Sequence, residues 1–335
     1  MFGRRVRPTA RWMIGVAVVV LLILSEVAIT GAFFSKATLA TLTPFVGVMV
    51  IASLGQAIVI GSGGIDLSIP STMTLVGVVL LKVSRSSDDR LLLAVLLALS
   101  CCALIGLVNG LLVERLQLNP FVATLAVGQI ISGVARYIRG PVPQFTRVPP
   151  GLQERVRWNA SGLSVPLLVA VALVLAGTLL FRSTTWGRRL VASSASRPAA
   201  RLIGLRAHAF RITTFVFCSV LAGCAALLLS GSLGAPDLSL GGPYLLATVV
   251  SVVLSGAVLS GGRMDLIGVG LGAAFITVLN HDLRVRGYST GFAQLVQAIV
   301  LGLGLAAVYL MRDRRALLPR LRSRDQRSAP IQVTS

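Results

Sequence analysis

The sequence predicts an all-α polytopic membrane protein with about ten transmembrane helices and cytoplasmic N- and C-termini. Hydrophobic residues make up 55% of the 335 positions and charged residues only 13%. Apolar runs of about 18 or more residues recur along the chain, and about 20 helical residues cross the hydrocarbon of a bilayer. Arginine gathers in alternate segments between those runs, as the positive-inside rule expects.

A membrane segment must satisfy its backbone internally, so each apolar run is expected to be a helix. An N-terminal arm, 1–11, carries Arg4, Arg5, Arg7 and Arg11 on the cytoplasmic side. The first span, 12–33, opens with an apolar run longer than a typical signal core and is expected to stay uncleaved. Spans 42–60 and 67–83 flank a glycine-rich break, and spans 91–113 and 120–137 follow. A Pro-rich outer loop, 138–162, holds Pro141, Pro143, Pro149, Pro150 and Trp158 and is long enough to face a partner. Span 163–181 leads to the main cytoplasmic loop, 182–211. Spans 212–232, 244–260, 264–280 and 290–311 complete a membrane domain over 12–311. The third, eighth and ninth spans are short for a straight crossing. The basic tail, 312–335, is polar and expected to be flexible.

Charge distribution supports this order. The segments assigned to the cytoplasm hold about two-thirds of the 31 basic residues. The two richest, 182–211 and 312–327, are separated by an even number of spans and so fall on one side. The net charge of +20 would suggest nucleic acid in a soluble domain, but here the arginines flank spans and orient them, so no nucleic-acid partner is expected. Membrane lipid is the partner that this composition demands.

The most telling stretch is Gly63-Gly64-Ile65-Asp66-Leu67-Ser68, a carboxylate among glycines between two membrane-grade runs. An acid at a bilayer centre costs roughly 2.5–3.5 kcal/mol on insertion scales, so it belongs at an interface, a cavity or a partner. The glycines let the backbone bend there. Asp66 is read either as a cap on the third span or as a residue of a polar path. A second glycine pair, Gly261-Gly262 before Arg263-Met264-Asp265, echoes the first between two later apolar runs. Interrupted helices in repeated halves occur in transporters, although small residues are common in membrane helices anyway.

Catalysis is poorly supported. No histidine lies in a span to activate Ser62, no H-E-x-x-H occurs, and the acids are scattered. Cys101, Cys102, Cys218 and Cys224 have neither metal-ligand spacing nor a disulfide framework and read as small packing residues. No metal and no cofactor is expected. Lys36 and Lys82, the only lysines, follow no phosphate-cradling glycine pattern, so the chain has no P-loop of its own. It is therefore either a self-sufficient secondary transporter or channel, or the membrane part of a pump whose motor is another chain. Ala199-Ala200-Arg201-Leu202-Ile203-Gly204 is a short helix-forming stretch closed by glycine, in the longest cytoplasmic loop. It is read as a docking element or as part of an ordinary orienting loop.

The Gly-Gly-Ile-Asp-Leu-Ser stretch resembles the signature of ribose-type permeases, the membrane subunits of bacterial ATP-binding-cassette (ABC) sugar importers. The resemblance continues in order through Asn109-Gly110, Pro120-Phe121-Val122-Ala123-Thr124-Leu125, Ala199-Ala200-Arg201-Leu202-x-Gly204, Gly261-Gly262-Arg263, Gly268, Gly272-Ala273 and Val278-Leu279-Asn280. It covers roughly residues 40–310.

The resemblance implies a transport permease in the bacterial cytoplasmic membrane that carries a monosaccharide or similar small polar solute. It implies two ABC ATPase subunits below, a periplasmic or lipid-tethered sugar-binding protein above, and a second permease subunit beside this one. It places Ala199, Ala200, Arg201 and Gly204 at the ATPase contact. Asp66, Ser68, Asn119, Phe121 and Thr124 fall in motifs placed near the translocation path or its gate. Helix packing or capping is the alternative for each. The chain departs from the family pattern at Pro198, Leu245 and Met264, in separate motifs. Those departures favour a related but non-identical partner permease over a homodimer.

Overall fold

The computed structural model describes residues 35–140, 146–160, 162–195, 207–257, 261–262 and 264–306, together with Val20 and Leu24. The first expected span, the N-terminal arm, the basic tail and the segment Ala199–Gly204 lie outside or almost wholly outside those residues.

Apolar sequence becomes helix throughout. In chain order the helices are α1 (Lys36–Gly61), α2 (Ile69–Ser84), α3 (Leu91–Glu114), α4 (Pro120–Arg139), α5 (Pro150–Arg157), α6 (Val165–Ser183), α7 (Thr185–Ala195), α8 (Ala207–Leu233), α9 (Tyr244–Leu254), α10 (Leu266–Val285) and α11 (Thr290–Ala306). Six of the described helices are long and apolar enough to cross a membrane by length and composition, and α2, α9 and α11 are shorter apolar helices. The chain is a mostly helical, polytopic protein.

The differences from expectation have local causes. The segment 138–162, read as an outer loop, holds regular structure in its described residues. Helix α4 continues to Arg139, α5 follows, and a two-residue antiparallel pair, β1 (Asn159–Ala160) with β2 (Leu163–Ser164), leads into α6. Asn159 accepts the Gly162 N–H at 2.6 Å and closes that hairpin, so the chain is not strictly all-α. In the segment 182–211, read as the main cytoplasmic loop, the described residues at both ends belong largely to α6, α7 and α8. The eighth span, expected over 244–260, is helical only to Leu254 and then turns at Ser255-Gly256. The ninth, expected over 264–280, is a 20-residue helix that starts where Asp265 caps it by accepting the Gly268 N–H at 3.3 Å and runs five residues further, to Val285.

Helix α1 forms the axis, buried almost throughout its second half and packed against α6, α8, α9 and α10. Small residues set the approach distances. A Cβ on Gly106 of α3 would lie 2.5 Å from the Phe215 carbonyl oxygen of α8, and one on Gly272 of α10 would lie 2.5 Å from that of Ser251 in α9. Without a hydrophobic drive between helices in lipid, such backbone approach is what packs them. Cys102 and Cys218 are buried, and all four cysteines are free, as expected of packing residues. The outer faces of α3, α4 and α6 expose Leu92, Leu104, Ile130, Leu175 and Leu179. That apolar exterior suits hydrocarbon.

The bundle has two ends. At one, α5 and the hairpin close over the start of α1, where Thr43 donates to the Gly162 carbonyl at 2.9 Å, and over the end of α8. At the other, the end of α1, the start of α2, the end of α3 and the start of α8 converge around the first glycine turn. At 1.5 Å per residue α2 is only about 24 Å long, less than a bilayer core of about 30 Å. It is almost wholly buried, which is where a broken helix is tolerated in a membrane.

Candidate functional site

Helix α1 stops at Gly61 and α2 starts at Ile69, leaving seven residues of mostly buried turn between the two helices. The turn begins with Gly63 at φ +80°, a left-handed conformation that a side chain would strain. Gly63 and Gly64 donate their N–H groups back to the Ile60 and Val59 carbonyls at 2.9 and 3.0 Å. The second glycine pair lies directly against this turn. Gly262 donates to the Gly61 carbonyl at 2.9 Å, and a Cβ on Gly261 would sit 2.9 Å from the Gly63 nitrogen. The two echoed motifs therefore form one contact. Met264, a departure from the family pattern, lies across Gly61, where a Cβ would overlap its side chain.

The turn delivers Asp66 into the bundle at 2% exposure. One carboxylate oxygen, Oδ1, accepts both the Ser68 N–H at 2.8 Å and the Ser68 hydroxyl at 2.6 Å. This corrects the capping expectation. Ser68 occupies the N-cap of α2 and makes no side-chain capping bond, and Asp66 bonds to Ser68 itself, so Asp66 closes the turn before the helix rather than the helix. Asn109 of α3 donates its Nδ2–H to Ser68 Oγ at 2.8 Å. Thr124 of α4 accepts the Leu67 N–H at 3.0 Å while donating to the Pro120 carbonyl at 2.8 Å. The Cys218 thiol of α8 lies beside the carboxylate. Asp66, Ser68, Asn109 and Thr124 are all buried, and together they bind three helices to the break.

Of the residues named from sequence, Asp66, Ser68 and Thr124 come together. Asn119 and Phe121 do not join them. Asn119 caps α4 by accepting the Phe121 N–H at 2.9 Å, and the Phe121 side chain is 52% exposed. Asn109 was visible in the Asn-Gly motif but was not among the site residues read from it.

Sequence reasoning also missed an ion cluster beside the turn. Glu114 at the end of α3 and Arg211 in the first turns of α8 form a salt bridge, with side chains only 1% and 2% exposed. His208 Nδ1 lies 2.9 Å from the other Glu114 oxygen. By sequence Arg211 is one of the arginines that flank spans and orient them. Its burial beside a carboxylate sets it apart, and the signal was a glutamate at a span end facing an arginine-rich segment.

Among the described residues, no three His, Cys, Asp or Glu side chains gather to hold a metal. A cavity of about 240 Å³ lies at the opposite end of the bundle, between α1, α5, the hairpin and α8, and no residue of the glycine turn, its polar network or the ion cluster lines it. The polar network is thus a brace around a break in a membrane helix. Its hydrogen bonds run within the chain, and the buried Asn109 Oδ1 and Asp66 Oδ2 are left without a hydrogen-bond partner among the described residues beyond the Cys218 thiol beside the carboxylate.

A family model described as "Branched-chain amino acid transport system / permease component" matches residues 38–305. The chain belongs to that family. Its relatives include the ribose import permease protein RbsC of Escherichia coli (strain K12), 28% identical over 308 residues that cover 89% of this chain and 94% of that protein. The galactofuranose transporter permease protein YtfT of the same strain is 30% identical over 282 residues, covering 82% of this chain and 80% of that one. The fructose import permease protein FruF of Bifidobacterium longum (strain NCC 2705) is 29% identical over 251 residues, 73% of this chain and 70% of that one. No solved structure matches the chain. The resemblance read from the motifs to ribose-type permeases holds, and the chain is a transport permease component rather than an enzyme.

Proposed function

We propose that this permease provides the translocation path of a bacterial ABC importer for a monosaccharide or similar small polar solute. A separate ATPase drives it and a sugar-binding protein delivers the solute. One observation carries the reading. Three stretches that resemble the ribose-type family, around Asp66, Asn109 and Thr124, converge on one buried break. The family model's description names branched-chain amino acids, whereas the relatives that cover most of this chain are named for ribose, galactofuranose and fructose. The sugar reading follows the relatives.

In this reading ten spans cross the cytoplasmic membrane with both termini inside, and the domain runs from 12 to 311. Ala199, Ala200, Arg201 and Gly204 form the ATPase contact within the segment 182–211. The segment 138–162 faces the solute receptor. Asp66, Ser68 and Thr124 stand at the path or its gate, with Asn119 and Phe121 at its mouth. The pore lies between two permease subunits, the second of them related to this chain but not identical.

The test is uptake by vesicles holding the permease, its ATPase and its receptor, with labelled ribose, fructose, galactose and leucine offered separately. ATP-dependent uptake of a monosaccharide and none of leucine is the expected result. Leucine uptake would replace the substrate class. Uptake by the permease alone, without ATP, would favour the secondary-transporter reading instead.

A further inference from the structure

We infer that Arg211 is a positioning residue that ties the start of α8 to the glycine turn bearing Asp66, so that movement imposed on α8 reaches the break. The inference rests on the proposed role of residues 199–204 at the ATPase, because α8 begins at Ala207, only a few residues beyond them.

An arginine that merely orients a span keeps its charged head in water. Arg211 does the opposite. Its side chain is 2% exposed and paired with a Glu114 side chain that is 1% exposed. Taking both charges out of water is unfavourable unless the geometry is good and the remaining donors find partners. Arg211 meets this in part: Nη1 pairs with Glu114 and Nη2 donates to the Gly63 carbonyl at 3.2 Å, while its buried Nε has no hydrogen-bond partner among the described residues. One side chain thus joins α8, the end of α3 and the turn.

A second link lies one helical turn further on. Thr214 Oγ1 donates its one hydrogen to the Arg211 carbonyl at 2.7 Å and sits 3.2 Å from Ser62 Oγ, whose own hydrogen reaches the Val59 carbonyl at 2.8 Å. Arg211 and Thr214 are three residues apart and share a helix face. They hold consecutive residues of the turn, Ser62 and Gly63. Gly63 is where the backbone reverses, and Asp66 follows three residues later with its bonds to Ser68. A shift of the first turns of α8 therefore cannot leave the turn in place without breaking both links.

The experiment uses the complete importer in vesicles and reads sugar taken up per ATP hydrolysed, alongside abundance and ATPase co-purification. The variants are R211Q, R211K, E114Q and the double variant E114Q/R211Q. We expect R211Q to insert and bind the ATPase, hydrolyse ATP, and take up about tenfold less sugar per ATP, within the usual range of site-to-site coupling. R211K keeps the charge without the forked geometry and should recover only part of that ratio. The double variant should lose no more than R211Q alone, because the two residues act as one link. A wild-type ratio in R211Q at wild-type abundance overturns the inference. If R211Q fails to accumulate, R211K and E114Q are read in the same way, and wild-type ratios in both overturn it equally. If the unaltered importer shows no ATP-dependent sugar uptake, the proposed function fails first and this inference falls with it. Coupled uptake by the unaltered importer with unchanged ratios in the variants defeats this inference alone.

Discussion

Asn109 Nδ2 lies 2.8 Å from Ser68 Oγ, and Ser68 Oγ passes its own hydrogen to Asp66 at 2.6 Å. An amide on α3 thus holds the start of α2 through a relay that ends on a buried carboxylate. The direction of the relay matters, because Asp66 only accepts when ionised and Asn109 is the outside donor. Three of the four residues that brace the break are therefore interdependent.

From that relay, Asp66→Ala should destabilise more than Asp66→Asn. The alanine leaves the Ser68 N–H and hydroxyl without their acceptor, at about 1–3 kcal/mol for a buried group left unpaired. The asparagine keeps one carbonyl acceptor in place and should fold nearly as well. Melting of the solubilised protein, measured beside uptake, separates brace from path. Equal melting temperatures for the two variants would remove the bracing role. A normal melt with lost uptake in Asp66→Asn assigns the carboxylate to transport.

Asn109→Ala removes one interhelical hydrogen bond and should lower stability by about 0.6 kcal/mol, the average for such bonds in a membrane protein, and by no more than about 1.7 kcal/mol. Asn109→Asp should be worse, since it places a second carboxylate close to Asp66 with no donor for Ser68 Oγ. The same melts check the order. Asn109→Asp more stable than Asn109→Ala would show that the relay does not run as the geometry has it.

Glycine positions offer a contrast within one bundle. A methyl on Gly106 would meet the α8 backbone at 2.5 Å, whereas one on Gly133 in α4 meets nothing within 4 Å. Gly106→Ala should therefore destabilise by about 1–3 kcal/mol through overpacking. Gly133→Ala should be neutral or gain up to about 1 kcal/mol from reduced backbone freedom. Similar melts for the two variants would contradict the close approach of α3 and α8.

Much of this was legible in the sequence, for identifiable reasons. Helix positions followed from apolar runs, which need no knowledge of partners. Asp66 stood out because an acid among glycines between such runs has few bland explanations. Its role as a turn brace was not legible, since the offset between capping a helix and closing the turn before it is two residues. Arg211 and Glu114 were hidden by a rule that holds on average. Basic residues at span ends usually orient the chain, and only the packing of α8 against α3 shows that this one is buried and paired. The meeting of Gly61–Gly63 with Gly261–Gly262 was likewise beyond reach, because two small-residue turns carry no label for each other. Span boundaries slipped where a cap or a turn, at Asp265 and Ser255-Gly256, decided the helix end.

At the proposed ATPase contact, Ala200→Glu and Gly204→Val should uncouple uptake while leaving the permease inserted. The first adds bulk and charge where a docked surface must come close, and the second restrains a backbone suited to ending a short helix. Uptake and ATP hydrolysis at matched abundance are the readings. Normal ATP-driven uptake by both variants would count decisively against docking through this segment.

The partner permease is the remaining question, and symmetry sets its default. Closed pairs of subunits are usually symmetric, which favours two copies of this chain. Its departures argue otherwise, each in a separate motif. Pro198 stands before the Ala-Ala pair, where the family usually has an acid, and proline there is compatible with a helix start. Leu245 follows the buried Tyr244 and is 37% exposed, where the family commonly has an acid. Met264 fills the space over Gly61, at a position where the resemblance implies a glycine. Two docking sites need not both be strong when the subunits differ, so a partner that keeps the acidic coupling contact would relieve selection on this one. The chain should accordingly need a second, related permease for full activity. Expressed with its ATPase and receptor alone, it should assemble poorly and take up little sugar, and adding the second permease should restore both. Full ATP-dependent uptake from the three-component set, with two copies of this chain by native mass measurement, would establish the homodimer and end the heterodimer reading.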